Sequence, residues 1–167
     1  MNSGFCGLLI KHPQIWDCGL KYLAGSFYFT AIQLGKYEMG GASQYRLLKA
    51  GSLTMALAIL FGAFGAHAIR NLLSAEMFAI YHTGNLYHLL HSLAILILGA
   101  VPANLLSDNR RTQIAYLMLG SLLIFSGSLY LLAVTGERWL GAITPLGGVG
   151  LILSWLILAL SFKFSDV

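Results

Sequence analysis

Residues 80–101 read Ile-Tyr-His-Thr-Gly-Asn-Leu-Tyr-His-Leu-Leu-His-Ser-Leu-Ala-Ile-Leu-Ile-Leu-Gly-Ala-Val, and this stretch decides the fold. It begins with aromatic and imidazole side chains and continues as an apolar run without any charged residue. A helix of about 20 apolar residues crosses the roughly 30 Å hydrocarbon core of a bilayer. Polar side chains are costly there, so His82, His88 and His91 require partners from neighbouring helices. The stretch predicts a membrane helix with polar contacts at its start.

The composition of the whole chain agrees with a membrane protein. Hydrophobic residues make up 57% of the 167 residues and charged residues 10%, whereas soluble domains carry roughly 25% charged residues. Four long segments, 50–69, 77–107, 112–136 and 139–162, lack Asp, Glu, Lys and Arg. The fold class predicted is therefore an all-α integral membrane bundle of four transmembrane helices, with spans at about 47–69, 80–101, 114–134 and 139–162.

Residues 1–45 differ from the rest because they mix short apolar runs with charged residues. We expect them to be an N-terminal extension to the four-helix domain at 46–167. The apolar piece 22–34 is too short to span a bilayer, so it is either an interfacial helix or part of a start-site artefact, with Met39 as the alternative start. The two cysteines, Cys6 and Cys18, match no metal-binding spacing.

The basic residues predict an orientation and not a nucleic-acid partner, although the net charge is +4. They are scattered at the ends of the apolar segments and form no stripe. Six of them fall on one side of the predicted membrane, and two, Arg70 and Arg138, fall on the other. The six are Lys36, Arg46, Lys49, Arg110, Arg111 and Lys163. The positive-inside rule then places both termini in the cytoplasm, or in the matrix if the membrane is mitochondrial.

Small residues predict where the helices approach each other. Ala58, Gly62 and Ala66 recur every fourth residue in the first span and form one such face. Gly120 and Gly127 form a second in the third span. In the fourth span, Gly147 and Gly148 follow Pro145, which predicts a kink or a close crossing.

A polar cluster is expected on the outer side of the membrane. His88 and His91 lie three residues apart and share a helix face with Tyr87. His67 ends the first span, so an antiparallel neighbour would bring it to the same level. The residues expected in the cluster are His67, Tyr87, His88, His91, Ser126, Tyr130 and Thr144.

This cluster is open to three interpretations. Its members hold the helices together by hydrogen bonds, or the imidazoles bind haem or a metal ion, or the histidines and tyrosines relay protons or a solute. No carboxylate-rich metal pattern supports the second interpretation. The serines of 125–129 lack the Gly-x-Ser-x-Gly order of a nucleophile elbow, so no hydrolytic enzyme is predicted.

Four motifs in order give the chain a resemblance to a known family: residues 62–67, the Tyr87-x-x-x-His91 step, residues 125–130 and residues 144–148. Over residues 46–160 the chain resembles the small four-span membrane family of unknown function that includes the bacterial protein YgdD and the animal transmembrane protein 256. The resemblance implies a bacterial cytoplasmic (inner) membrane and no established activity. His88 departs from the family pattern, which more often has glutamine there. The positions that follow the pattern are His67, Tyr87, His91, Ser126, Tyr130, Thr144 and Pro145.

These observations predict a non-enzymatic structural or accessory membrane protein without a cofactor or a metal site. The alternative is a haem-binding, metal-binding or proton- or solute-relay component that uses the histidines and tyrosines of the polar cluster. The expected partner is the lipid bilayer, and a second copy of the chain or another membrane protein stays open as a further partner. Nucleic acid is not expected.

Overall fold

The computed structural model describes residues 41–162, so most of the predicted N-terminal extension lies outside the described residues. The described part of the chain folds into four long helices. These are α1 (Ala42–Phe64, continued by a π-helical turn at Gly65–Ile69), α2 (Ala75–Ala100), α3 (Asp108–Thr135) and α4 (Leu140–Ser161). Each is long and apolar enough to cross a membrane, which confirms the predicted fold class.

Helices α1, α2 and α3 begin before the predicted spans because polar residues at their starts continue the helical backbone, whereas α4 lies within the predicted span 139–162. Helix α2 begins five residues before residue 80, where the Ser74 hydroxyl accepts a hydrogen bond from the Met77 N–H at 3.2 Å. Glu76 lies in the first turn, where the helix dipole favours a negative charge. The helix ends where Val101 adopts an extended conformation before Pro102. Helix α3 ends at Gly136, whose φ of 74° requires a left-handed conformation.

The helices pack in chain order, each antiparallel to its neighbour. Helix α2 lies between α1 and α3, and α4 packs along α3. Helix α1 touches α3 only over a short stretch, and α1 and α4 do not pack against each other. Helices α2 and α3 therefore form the centre of the bundle, and α1 and α4 expose most of their apolar surface.

Buried positions recur every seven residues in all four helices. This is the spacing of left-handed packing at about 20°, in which two faces remain in contact along their length. The residues that follow it, all buried except the half-buried Phe125, are Gln44, Gly51, Ala58 and Gly65 in α1; Tyr81, His88 and Ile95 in α2; Arg111, Met118, Phe125 and Leu132 in α3; and Leu140, Gly147 and Ser154 in α4.

Glycines permit the closest approaches between helices. A Cβ atom at Gly147 would lie 2.5 Å from the Phe125 amide nitrogen, and one at Gly51 would lie 2.8 Å from the Leu96 amide nitrogen. Such distances leave no space for a side chain, so backbones meet there. The crossing at Gly147 is the close approach expected in the first half of the fourth span.

The other predicted packing residues divide into two groups. Ala58 is fully buried, a Cβ atom at Gly62 would meet Asn85, and Gly148 lies at ordinary contact distance from the Phe125 ring. Four-residue steps, however, drift around a helix that packs with a seven-residue spacing. Ala66 is therefore exposed, and Gly65 instead lies against the Tyr81 ring. The prediction for the third span was wrong, because Gly120 and Gly127 have no atom of the described residues within 4 Å of a built Cβ.

Candidate functional site: buried polar contacts between the helices

Asn85 in α2 connects three helices. Its Nδ2 donates to the Ala58 carbonyl of α1 at 2.7 Å and to the Tyr130 hydroxyl of α3 at 3.2 Å. Gly62 leaves the space for its Oδ1, since a Cβ there would lie 2.9 Å away. A single buried amide thus fixes the register of α1 and α3 against α2.

Tyr130 continues this contact to His88. The Tyr130 oxygen accepts from Asn85, so its own proton is free to point towards Nδ1 of His88 at 3.4 Å. The Phe61 ring packs edge-on against the Tyr130 ring, with centroids 5.1 Å apart. The Tyr81 hydroxyl donates to the Phe61 carbonyl at 2.7 Å. We name Tyr81, Asn85, His88 and Tyr130 the Asn85 cluster.

His91 points to a different helix and uses both ring nitrogens. Nδ1 lies 2.8 Å from the carbonyl oxygen of Tyr87, and the indole Nε1 of Trp155 in α4 lies 3.3 Å from Nε2. A carbonyl can only accept and an indole N–H can only donate. His91 is therefore assigned as the neutral tautomer that carries its proton on Nδ1, with no nitrogen left for a further ligand.

Hydroxyl groups line the contact between α3 and α4. The Ser128 and Thr144 oxygens are 2.8 Å apart, and the Ser154 hydroxyl donates to the Gly150 carbonyl at 2.8 Å. In contrast, the hydroxyls of Ser92 and Ser126 are buried and have no hydrogen-bond partner within the described part of the chain.

The structure does not bring the predicted cluster together as one site. His67 lies exposed on the π-helical turn and makes no side-chain hydrogen bond with residues 41–162. His88 and Tyr130 belong to the Asn85 cluster, His91 pairs with Trp155, and Thr144 pairs with Ser128. Tyr87 takes part through its backbone carbonyl and by stacking on the His91 ring, with centroids 5.7 Å apart.

The depth of these contacts also differs from the expectation. Asn85 and His91 lie about 15 and 24 Å along α2 from its start at 1.5 Å per residue. The polar contacts therefore run from the first half of α2 past its middle, because α2 begins at Ala75 and not near residue 80.

Sequence reasoning missed Asn85, Trp155, Gln44 and the role of Arg111. Arg111 is fully buried and donates to the carbonyls of Val101 and Leu106 at 2.7 and 3.0 Å and to the Asp108 carboxylate at 2.6 Å. Gln44 also donates to the Val101 carbonyl, at 2.9 Å. Asn85 was detectable as the one side-chain amide in residues 80–101. The sequence does not distinguish Arg111 from an exposed basic residue, because it lies in the polar stretch 107–112.

No site for a metal ion is formed by these residues. Within residues 41–162, no group of three or more His, Cys, Asp or Glu side chains gathers at one place. An apolar groove of about 350 Å³ opens between α1 and α3 beside the Asn85 cluster. Its lining residues are Leu60, Phe61, Phe64, Ile69, Tyr81, Tyr130, Leu131 and Val134.

Four helices long and apolar enough to span a membrane, joined by polar contacts, define the class, a small α-helical integral membrane protein. The chain belongs to the DUF423 family, described as "Protein of unknown function (DUF423)", which matches residues 61–148. This confirms the predicted membership of a membrane family of unknown function.

Bacterial proteins similar to this chain are named membrane proteins. The UPF0382 membrane protein YwdK of Bacillus subtilis (strain 168) is 38% identical over 111 residues, which are 66% of this chain and 90% of that protein. The UPF0382 membrane protein SSP2132 of Staphylococcus saprophyticus is 38% identical over 68% of this chain and 93% of its own length. SH2409 of Staphylococcus haemolyticus is 40% identical over the same shares. None of these names is enzymatic, and no solved structure matches the chain.

Proposed function

We propose that this protein is a non-enzymatic structural or accessory component of the bacterial cytoplasmic membrane. The observation that carries the proposal is that both ring nitrogens of His91 are engaged, Nδ1 by the Tyr87 carbonyl of the same helix and Nε2 by Trp155 of α4. The Asn85 cluster supports this proposal, because Asn85 of α2 donates hydrogen bonds to the Ala58 carbonyl of α1 and to the Tyr130 hydroxyl of α3. A bundle whose polar groups bind each other is suited to holding a fixed shape in lipid.

The competing function is a haem-binding, metal-binding or relay component that uses His67 and His91. Ligation at His91 would require Nε2 to give up the Trp155 indole or Nδ1 to give up the Tyr87 carbonyl. His67 lies exposed on the π-helical turn, apart from the contacts of α2. These placements favour the structural role.

An absorption spectrum separates the two functions. We expect the full chain, purified in detergent from its expression host, to show no Soret band with or without dithionite, and metal analysis to find no stoichiometric iron, copper or zinc. A Soret band that disappears in His91→Ala and persists in His82→Ala would overturn the structural role. His82 is the matched control because it lies exposed on the same helix.

An accessory role requires a surface for partners, and α1 and α4 supply it. Both helices leave most of their apolar surface uncovered within residues 41–162. In a membrane this surface contacts lipid, a second copy or another membrane protein. Light scattering of the protein–detergent complex gives the number of copies in the complex. It therefore distinguishes contact with a second copy from contact with lipid or with another membrane protein.

We further propose that residues 46–167 form the functional unit and that residues 1–45 are an appendage. The family match within residues 61–148 supports this division. A variant that starts at Met39 should keep the thermal unfolding temperature of the full chain. A large loss of stability in that variant would contradict the division.

A further inference from the structure

A second cavity lies at the end of the molecule that carries Arg46, Lys49, Arg110 and Arg111, which we name the basic end. It has a volume of about 430 Å³ and lies between the start of α3 and the end of α4. Its lining is mixed: hydroxyl groups and a guanidinium adjoin apolar side chains. The lining residues are Ser107, Arg110, Ile157, Leu160 and Ser161.

The charge of this cavity comes from Arg110. Its neighbour Arg111 is buried and paired with Asp108, whereas Arg110 is exposed and forms no ion pair with any residue in 41–162. Asp108 is the one acidic residue at the basic end of the described part, since Glu76 and Glu137 lie at the opposite end. Within residues 41–162 no spare carboxylate is left for Arg110, so its guanidinium has the charge to pair with an added anion.

The apolar side of the cavity indicates what kind of anion fits. Ile157 and Leu160 lie on the last turns of α4, and Leu160 is 87% exposed. The Ser107 hydroxyl makes no capping bond to α3 and no other hydrogen bond within residues 41–162, so it has a proton to donate to a ligand. A ligand that matches this lining has a negatively charged group for Arg110 and Ser107 and hydrocarbon for Ile157 and Leu160.

We infer that this cavity binds an anionic phospholipid, with the phosphate at Arg110 and an acyl chain along Ile157 and Leu160. Basic residues close to a membrane surface attract anionic lipids, and Arg46 and Lys49 add to the positive charge of the same end. A guanidinium holds a phosphate by charge-assisted hydrogen bonds. Phosphatidylcholine carries the same phosphate, but its choline cation cancels the net charge and brings a second positive group to the basic end. The cavity therefore selects its lipid by charge.

The test measures the thermal unfolding temperature of the full chain in a neutral detergent during titration with lipid. Long-chain phosphatidylglycerol should raise this temperature, and phosphatidylcholine of the same chain length should not. Arg110→Gln should need roughly tenfold more phosphatidylglycerol for the half-maximal effect, because a charge-assisted contact is lost. Arg138→Gln, an exposed arginine at the opposite end, is the matched control and should respond like the wild type.

Two further probes distinguish a lipid from a free anion. Inorganic phosphate and dihexanoyl-phosphatidylglycerol should give little stabilisation, and Leu160→Ser should weaken the response to the long-chain lipid. Equal responses of the wild type and Arg110→Gln would overturn the proposed site. Full stabilisation by inorganic phosphate alone would overturn the assignment of a phospholipid.

Discussion

Single residues decide how the helices are held in register, and Asn85 does so for three of them. In lipid no hydrophobic force drives helices together, so packing and hydrogen bonds supply the specificity. Each such hydrogen bond contributes about 0.6 kcal/mol on average. Asn85 makes two of them, and it also fills the space left by Gly62.

Replacing Asn85 should therefore loosen the bundle without unfolding it. We expect Asn85→Ala to lower the free energy of unfolding in detergent by about 1–2 kcal/mol, from two lost hydrogen bonds and a small cavity. Asn104→Ala, in the exposed loop before α3, should change it little. Equal stability of the two variants would show that the amide does not join the helices.

Arg111 anchors the loop between α2 and α3 by its planar, forked guanidinium. It reaches two carbonyls and one carboxylate, a set that a single ammonium group cannot match. Arg111→Lys should lower the free energy of unfolding by about 1–3 kcal/mol, because buried acceptors lose their donors. Arg138→Lys, which is exposed, should leave it unchanged. If chemical unfolding gives the same midpoint for both variants, Arg111 does not hold the loop.

Whole helices meet along faces with a seven-residue spacing, and glycines mark their closest approaches. The sequence shows small residues in every helix, but it does not show which of them face a neighbour. Gly147 meets the Phe125 backbone, whereas Gly120 faces open space. In lipid both kinds of face are apolar, so hydrophobicity does not distinguish them.

The two glycines make a matched pair for a test. Gly147→Ala should lower the free energy of unfolding by about 1–3 kcal/mol, because the added methyl group forces the backbones of α3 and α4 apart. Gly120→Ala should be neutral or slightly stabilising, because alanine favours the helix. A reversed order of the two variants in thermal unfolding would contradict the packing of α3 against α4.

On the scale of the whole molecule, residues 41–162 form four antiparallel helices with an uneven distribution of charge between the two ends of the bundle. Within the described residues the basic end carries Arg46, Lys49, Arg110 and Arg111, and the opposite end carries Arg70 and Arg138. We propose on the positive-inside rule that the basic end faces the cytoplasm.

Cysteine labelling in intact cells checks this orientation. In a chain with Cys6 and Cys18 replaced by serine, Glu137→Cys should react with a membrane-impermeant maleimide, because residue 137 lies in the loop at the opposite end. Asn104→Cys should react only after the cells are permeabilised. The reverse pattern would place the basic end outside.

The sequence predicts the features that depend on solvent and length, namely four spanning helices and the family. It predicts three-dimensional neighbours less well. His88 and His91 share a helix face in a simple helical projection, yet they contact different helices. His88 lies next to Tyr130 of α3, whereas His91 contacts Trp155 of α4. The expected meeting with His67 fails because the π-helical turn and the loop that follows leave that residue exposed.

We conclude that the buried histidines serve contacts between helices, and the protonation of His91 tests this claim most directly. Nitrogen-15 NMR of the histidine-labelled protein, with His91 assigned by its loss in His91→Gln, reports which ring nitrogen carries the proton. We predict a neutral ring with the proton on Nδ1 and an Nε2 signal that shifts in Trp155→Phe and is unaffected by added zinc or haem. A proton on Nε2, or an Nε2 signal that moves on addition of either ligand, would contradict the claim.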